Sequence, residues 1–523
     1  MVAPAMTRDR RSTPALWRCL LLAALAASAP VHAASLRDDV RAWRIAHEPA
    51  LVRELADLVA LPNLASDATS IRRNAQALVA MLERRGVRAE VLENGPWPPA
   101  VFGELKTPGA RRTIVFYAHY DGQPVNPAEW ATPPWEPTLR VREGGAWRTV
   151  PLPAAGARLD PEARLFGRSS SDDKAPIVAM LAALDALRAA KRKPAVNLKF
   201  FFEGEEEAGS THLRELLLAH RARLDADAWL FCDGPVHAGG QPQLVFGVRG
   251  VMGLELTAFG PARAVHSGHY GNWVPNPALL LARTIATLRD EQGRILIEGF
   301  YDDVSPPTAA EQAAAAALPR VDDRLRAELW LGATEGDGAS PAERVLLPAL
   351  NLRGLESGAV GDQAANAIPT LARASIDFRL VPRQTPERIR ERVEAHLVKQ
   401  GWFVTADSVT QAMRLAHPRV LRAQWEGGYR AYRVGLDAPV SRALRATLDE
   451  LLDAPVLLVP TLGGSQPLAT IADVLGAPLV TVPIVNHDNS QHAKDENLRV
   501  QNLWDGIEIY ASIMARLAAH WPR

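Results

Sequence analysis

Acidic and imidazole side chains follow predicted strands, or open a predicted helix, at five separate places in this sequence. These groups are His119 with Asp121, Asp172, the pair Glu206 and Glu207, Asp233, and His492. Because active sites on open α/β sheets lie at the carboxyl ends of the strands, we expect these side chains to meet at one edge of a sheet. Each group alone has an ordinary alternative role as a helix cap, an ion pair or a solvated charge run. Their shared placement favours a common site.

The chemistry of these side chains predicts a metal centre. Two imidazoles and three carboxylates form a ligand set that suits zinc, manganese or cobalt. An odd carboxylate can bridge two ions about 3.5–4 Å apart. A carboxylate beside an imidazole, as in His119-Tyr120-Asp121, can hold the proton of the ring nitrogen that does not bind metal. The acidic run at residues 203–207 follows an apolar strand, where unneutralised charge is costly.

The elements that must position these groups alternate between short apolar strands and helices. Strands are predicted at residues 113–118, 196–202, 228–232 and 478–483, and helices within residues 35–85, 175–190 and 212–220. This alternation predicts an α/β fold with a mainly parallel sheet that is covered by helices on both faces.

A second domain is predicted because the hydrophobic pattern changes after residue 240. Residues 244–259 and 374–381 alternate between apolar and polar side chains, which is typical of half-exposed antiparallel strands. The chain is also longer than one hydrophobic core usually serves. We predict that residues 34–243 and 402–523 form one α/β domain and that residues 244–401 form a smaller inserted α+β domain.

The N-terminus has the pattern of a cleaved secretory signal. Three arginines between residues 8 and 11 precede an apolar run at residues 20–29 and small residues up to Ala33. That run is shorter than the roughly 20 residues that span a bilayer. We therefore expect cleavage near Ala33, export to the periplasm or medium, and no stable membrane anchor. Equal numbers of basic and acidic residues, 59 of each, argue against nucleic acid as a partner.

Five segments together resemble a known enzyme family. They are YAHYDGQP, LFGRSSSDDKAPI, FEGEEEAGS, CDG and NSQHAKDENL, in this order. The sequence resembles the co-catalytic dizinc metallopeptidases that include aminoacylase, glutamate carboxypeptidase and succinyl-diaminopimelate desuccinylase. It is most similar to the branch of the carnosinases and the cytosolic non-specific dipeptidase. The resemblance implies a phosphorylase/hydrolase-like catalytic domain, with the inserted domain acting as a lid and forming a homodimer.

The resemblance also implies roles for individual residues. His119 and Asp233 would hold one zinc ion, Glu207 and His492 the other, and Asp172 would bridge them, with a cis peptide bond after it. Glu206 would be the general base, and Asp121 would orient His119. His266, in AVHSGHYG, matches a histidine that reaches into the partner subunit's site. Contacts to the substrate carboxylate would come from Arg379, Gly464 and Ser465.

The expected function is hydrolysis of amide bonds in dipeptides or short peptides by a water molecule activated by two zinc ions, with Mn²⁺ or Co²⁺ as possible replacements. One alternative uses the same site to remove the acyl group from N-acyl amino acids. A more remote alternative is an exported peptide-binding protein without activity. That reading predicts a missing ligand or base, and none is missing from the motifs.

Overall fold

The computed structural model describes residue 1 and residues 35–521 of the 523-residue chain. The predicted signal at residues 1–33 therefore lies, apart from residue 1, outside the described residues. Within the part described, no helix is both long and apolar enough to cross a bilayer. The helical region predicted at residues 35–85 is divided into two helices, Leu36–Val59 and Ala68–Glu83.

Eight strands form the main sheet. Their spatial order is Arg88–Asn94, Trp97–Leu105, Asn197–Glu203, Thr113–His119, Ala228–Phe231, Leu479–Thr481, Gln243–Val245 and Leu457–Val459. The third to sixth strands in this order run parallel to one another, and antiparallel pairs join them to the strands on either side. The sheet is therefore of mixed orientation: the predicted parallel arrangement holds for the four central strands, and the last two strands are parallel to each other but antiparallel to the centre.

Both faces of the main sheet are packed. Along one central strand, Phe116 lies in a buried cluster built with the helices Lys174–Ala189 and Val500–His520, whereas Tyr117 lies in a different cluster that includes the helix Leu468–Leu475. Successive side chains of a strand point to opposite faces. The continuous apolar runs of these strands follow from burial on both faces.

A second sheet has five strands and its own core. Their spatial order is Ala349–Glu356, Leu371–Leu380, Gly250–Phe259, Val420–Tyr429 and Phe403–Thr405. Along Leu371–Leu380, buried side chains alternate with half-buried or exposed ones. One face of this sheet packs on the helices Pro277–Ile285 and Pro386–Lys399. The sheet includes two strands, Phe403–Thr405 and Val420–Tyr429, that lie beyond residue 401 in the chain.

The chain passes between the two sheets twice, and the two passages pair with each other. Gly247–Val248 forms an antiparallel ribbon with Tyr432–Arg433. A Cβ atom at Gly247 would lie 2.6 Å from the carbonyl oxygen of Tyr432, so this close approach requires glycine. The continuous strand predicted at residues 244–259 is consequently broken into three pieces that belong to three sheets.

The other described elements surround these sheets. A four-stranded sheet has the order Asn497–Arg499, Arg164–Phe166, Thr138–Glu143 and Ala146–Val150, and a two-stranded sheet joins Val265–His266 to Ala367–Ile368. The remaining helices are Leu213–Ala219, Arg221–Leu224, Ser267–Tyr270, Ala309–Ala316, Asp322–Glu328, Pro341–Arg344, Gln411–Ala416 and Pro439–Leu451. Short 3-10 turns occur at Pro127–Glu129 and Gly361–Gln363.

Candidate metal centre and active site

His119 is the last residue of its strand and is fully buried. Its Nε2 atom lies 2.9 Å from Oδ1 of Asp172, and its Nδ1 atom lies 3.4 Å from Oδ1 of Asp121. Asp121 also accepts hydrogen bonds from the backbone N–H groups of Glu206 at 3.1 Å and Glu207 at 3.0 Å. The carboxylate of Asp121 therefore faces the second ring nitrogen of His119 and also holds the backbone of Glu206 and Glu207.

Asp172 stands in the loop before the helix Lys174–Ala189, and its peptide bond to Asp173 is cis, as the resemblance implies. Its Oδ2 atom lies 3.2 Å from Nε2 of His492. The same imidazole nitrogen lies 3.2 Å from Oε2 of Glu207. Asp172 therefore contacts both imidazoles, which is the position that a bridging ligand needs.

The structure brings together all five residues that the sequence analysis assigned to metal. The ligand atoms of His119, Asp172 and Glu207 lie within 4.8 Å of one another, and so do those of His119, Asp173 and Asp233. His492 joins the first group through its contacts with two of its carboxylates. Asp173, to which the sequence analysis gave no role, joins the second.

The glutamates of the acidic run at residues 203–207 have different surroundings: Glu203 and Glu205 bond to other parts of the fold, whereas Glu206 and Glu207 belong to the site. Glu203 accepts a hydrogen bond from the hydroxyl of Tyr117 at 2.6 Å. Glu205 has Oε1 at 2.7 Å from Nδ1 of His212. The sequence analysis expected the whole run to require a neutralising cation. Because Glu203 and Glu205 have partners within the fold, this requirement applies to Glu206 and Glu207.

Burial and mutual repulsion raise the pKa values of several carboxyl groups in the centre. Burial, and next the charge of Asp172, raise the pKa of Asp233 to about 7. Burial is also the largest cause that raises the pKa of Glu206 well above its usual value, with Asp233 adding to it. Hydrogen bonds to Asp172 and Glu207 raise the pKa of His492 to about 10. Keeping these carboxyl groups ionised together therefore requires more positive charge than the two imidazoles supply, which favours a bound cation.

Two basic side chains near Asp172 in the sequence are directed away from this negative charge. Arg168 donates to Glu496 at 2.8 Å. Lys174 donates through Nζ to the carbonyl oxygens of Leu58 at 2.8 Å and Leu61 at 2.9 Å, and burial lowers its pKa to about 7. Because neither cation reaches the clustered acids, the donor set fits a divalent metal ion.

Glu496 is a residue of this site that the sequence analysis missed. It is fully buried, and its carboxylate accepts hydrogen bonds from Arg168, from the hydroxyl of Ser171, and from the backbone N–H groups of Ser169, Ser171 and Asp172, all between 2.8 and 3.0 Å. Glu496 therefore holds the loop that presents Asp172. Its place in the segment NSQHAKDENL was a signal, but nothing local links it to a loop more than 320 residues earlier.

The Glu496→Gln variant is expected to lose about 3–5 kcal/mol of unfolding free energy, because the buried guanidinium of Arg168 loses its counter-charge. Denaturant unfolding measures this loss. Glu143→Gln is the control, since its carboxylate pairs with Arg148 at the surface and its removal should change little. Equal unfolding midpoints for the two variants would show that Glu496 does not support the loop.

His266 lies apart from the five clustered ligands. It is exposed, and its Nδ1 atom accepts the backbone N–H of Gly268 at 3.1 Å. Among the described residues, no hydrogen bond or ion pair joins its side chain to the metal-ligand candidates. A role for His266 within this subunit's own centre therefore has no support from these contacts.

The predicted substrate contacts lie between the second sheet and the centre. Arg379 donates through Nη1 to the hydroxyl of Ser465 at 2.9 Å. Gly464 is exposed. The next side chain, Gln466, donates to Oδ2 of Asp233 at 2.8 Å. One short loop thus connects the arginine of the second sheet to a metal-ligand candidate of the first.

Comparison with known proteins identifies the family of this chain. The model of peptidase family M20/M25/M40 matches residues 115–516, a span that includes every predicted metal ligand. The chain belongs to this family. It is 27% identical to the Cys-Gly metallodipeptidase dug1 of Schizosaccharomyces pombe, over 90% of this chain and 96% of that protein. It is 24% identical to the Beta-Ala-His dipeptidase of Homo sapiens, over 94% of each chain.

Solved structures support the same membership. The M20 family metallo-carboxypeptidase Sso-CP2 from Sulfolobus solfataricus superposes with a TM-score of 0.73 and 26% identity, over 90% of this chain and 99% of that one. Human carnosine dipeptidase 1 shares the fold, with a TM-score of 0.72 and 22% identity over 93% of this chain and 99% of that one. The resemblance to the carnosinase and dipeptidase branch is therefore confirmed.

The prediction of an exported protein is wrong by these comparisons. The fungal Cys-Gly metallodipeptidases to which the chain is similar, among them the S. pombe protein that matches over 90% of this chain, give no support to export. The residues on which the prediction rested, including Ala33, lie outside those that the structure describes. An N-terminal run of arginines and apolar residues was too unspecific a signal to set the location.

Proposed function

We propose that this chain is a metal-dependent dipeptidase that hydrolyses the amide bond of dipeptides or similarly short peptides. The observation that carries the proposal is the meeting of His119, Asp172, Glu207, Asp233 and His492 in one centre. The names of the relatives, Cys-Gly and Beta-Ala-His dipeptidases, support the substrate class.

The centre suits two Zn²⁺ ions, and Mn²⁺ or Co²⁺ are the other ions that such ligands take. We assign His119 and Asp233 to one ion, Glu207 and His492 to the other, and Asp172 to both. Bound metal supplies a water molecule of lowered pKa and polarises the amide carbonyl. The excess of buried acids over imidazoles supports this assignment.

Glu206 is assigned as the general base, which takes a proton from the attacking water and returns it to the leaving amine. Its backbone N–H is bonded to Asp121, whose carboxylate also lies beside Nδ1 of His119. Asp121 therefore positions a metal ligand and the base together. Burial raises the pKa of Glu206 above its usual value, which strengthens this carboxylate as a proton acceptor.

A positive region next to the centre is assigned to the carboxylate of the substrate. Arg379 and Ser465 would bind that carboxylate, with Gly464 leaving room for it at the exposed turn. Arg249 donates from Nε at 3.0 Å and Nη2 at 2.9 Å to the carbonyl of Gly463, which fixes the loop. Burial, and then the charge of Arg379, lower the pKa of Arg249 to about 10. Arg379 also pairs with Asp377 at 3.2 Å, so the two guanidinium groups together keep one net positive charge, which favours an anionic ligand.

We assign two roles to the inserted domain, which are closing over the active site and forming a homodimer. We place the catalytic domain at residues 34–243 and 402–523 and the lid and dimerisation domain at residues 244–401, with Phe403–Thr405 and Val420–Tyr429 extending its sheet. In a homodimer, the exposed His266 would serve the partner's site and donate to the developing oxyanion. Analytical ultracentrifugation tests the dimer, and a monomer at assay concentration would remove this role.

Dipeptides are expected to be the best substrates of the metal-loaded enzyme, with kcat/KM falling from dipeptides to tripeptides and tetrapeptides. The reason is that a carboxylate subsite on the loop that also contacts Asp233 leaves room for one residue on the carboxyl side of the cleaved bond. The names of the relatives, which are dipeptidases, favour a single residue on the amino side as well. Arg379→Met should lower kcat/KM for dipeptides by about 10–100-fold, because a charged hydrogen bond is lost. Product release followed by chromatography measures both effects.

N-acetyl and N-succinyl amino acids, tested beside the peptides, provide the comparison. A higher kcat/KM for these compounds than for any dipeptide would make the chain an N-acyl-amino-acid deacylase. Rates that rise with peptide length would also contradict the proposal.

A further inference from the structure

Each of the three carboxylates assigned to metal accepts a hydrogen bond from a different glutamine side chain. The pairs are Gln123 Nε2 to Glu207 Oε2 at 2.7 Å, Gln466 Nε2 to Asp233 Oδ2 at 2.8 Å, and Gln491 Nε2 to Asp172 Oδ2 at 3.3 Å. The three glutamines come from three separate loops. Each amide thus has one carboxylate of its own.

The choice of an amide matters for a site that binds a cation. A carboxylate that accepts from an amide is held in one orientation but keeps its full negative charge. A lysine or arginine in the same place would neutralise the carboxylate and compete with the metal. The two basic side chains described above, Arg168 and Lys174, are indeed bonded elsewhere.

The contacts also fix which way each amide faces. An ionised carboxylate can only accept, so the NH₂ group of each glutamine must point at it. The oxygen of Gln491 accepts from Asn489 Nδ2 at 3.3 Å, so this amide is held at both ends. The oxygen of Gln466 is buried and has no hydrogen-bond partner among the described residues. Gln466 is therefore tied to the centre through Asp233.

We propose that Gln123, Gln466 and Gln491 are positioning residues that set the metal affinity of individual carboxylates. Because Gln466 acts on Asp233 and Gln123 acts on Glu207, each supports a different ion. Gln491 acts on the bridging carboxylate and supports both. This inference rests on the ligand assignment of the proposed function and adds that the two metal positions can be weakened separately.

The test compares Gln466→Met and Gln123→Met with the wild type. Each protein is dialysed against a series of zinc–chelator buffers, and bound zinc is counted by elemental analysis, without any assay of activity. Each variant is expected to hold one zinc ion with wild-type affinity and the other about 10–100-fold more weakly. Gln491→Met should weaken both. Gln312→Met is the matched control, because this glutamine is exposed on the helix Ala309–Ala316.

The other outcomes distinguish a failure of the glutamine role from a failure of the proposed function. Wild-type affinity for both ions in Gln466→Met and Gln123→Met would overturn the role of the amides and leave the ligand assignment standing. Equal loss of both ions from each single variant would overturn the pairing of one glutamine with one ion. A wild-type protein that binds no zinc would overturn the proposed function as well. If Gln466→Met does not fold, Gln466→Asn, which withdraws the amide, should show the same loss.

Discussion

The Glu206→Gln variant is expected to keep its bound metal and to lose turnover by a factor of about 10²–10⁴. The amide has nearly the shape of the carboxylate, so the backbone N–H bond from residue 206 to Asp121 should persist. It cannot accept a proton from water, so the base is lost while the ligands stay in place. Steady-state kinetics on a dipeptide, together with metal analysis of the same sample, measures the two effects independently.

Glu205→Gln is the control for this variant. Glu205 is the adjacent glutamate, but its carboxylate is directed to His212 rather than to the centre. Its amide replacement should therefore leave kcat close to that of the wild type. Turnover of Glu206→Gln at the wild-type rate, with metal bound, would remove Glu206 from the role of base.

The Asp172→Ala variant is expected to lose metal and thermal stability together. Burial raises the pKa of Asp172, but hydrogen bonds with His119 and His492 lower it more, so this carboxylate is ionised at neutral pH. Among residues 35–521, it is the one carboxylate in contact with both imidazoles. Metal that binds only the folded protein stabilises it by about 4 kcal/mol at a thousand times its Kd, so weakening the site removes that contribution.

Thermal unfolding with and without a chelator measures this loss. The chelator should lower the Tm of the wild type and hardly change that of Asp172→Ala. Asp185→Ala is the control, because Asp185 lies on the helix that follows Asp172 and pairs with Arg85 instead of facing the centre. Two zinc ions still bound to Asp172→Ala would refute the bridging assignment.

The central strands could be predicted because their residues allow little else. The runs TIVFYA and AWLF are short, apolar and rich in β-branched and aromatic side chains, and they form Thr113–His119 and Ala228–Phe231. The directions of the edge strands could not be predicted. An apolar run carries no information about the direction of its neighbour, so the antiparallel pairs at both sides of the main sheet were missed.

The site was predictable to the extent that its residues follow strands. His119 and Asp233 are delivered to one edge by strand direction, and the sequence shows where each strand ends. Glu496 and the three glutamines were missed for a common reason. Each acts through a hydrogen bond to a residue distant in the chain, and glutamine in a loop is chemically ordinary until its partner is known.

The antiparallel ribbon between the sheets, Gly247–Val248 with Tyr432–Arg433, restricts how the two halves of the molecule can move. A single crossing segment would allow the two halves to rotate freely relative to each other. Two crossings bonded side by side resist twisting, so the ribbon leaves flexing about one axis as the easy motion. Such flexing would carry Arg379 along an arc and would stretch its bond to Ser465. Small-angle scattering with and without a bound dipeptide analogue would detect it.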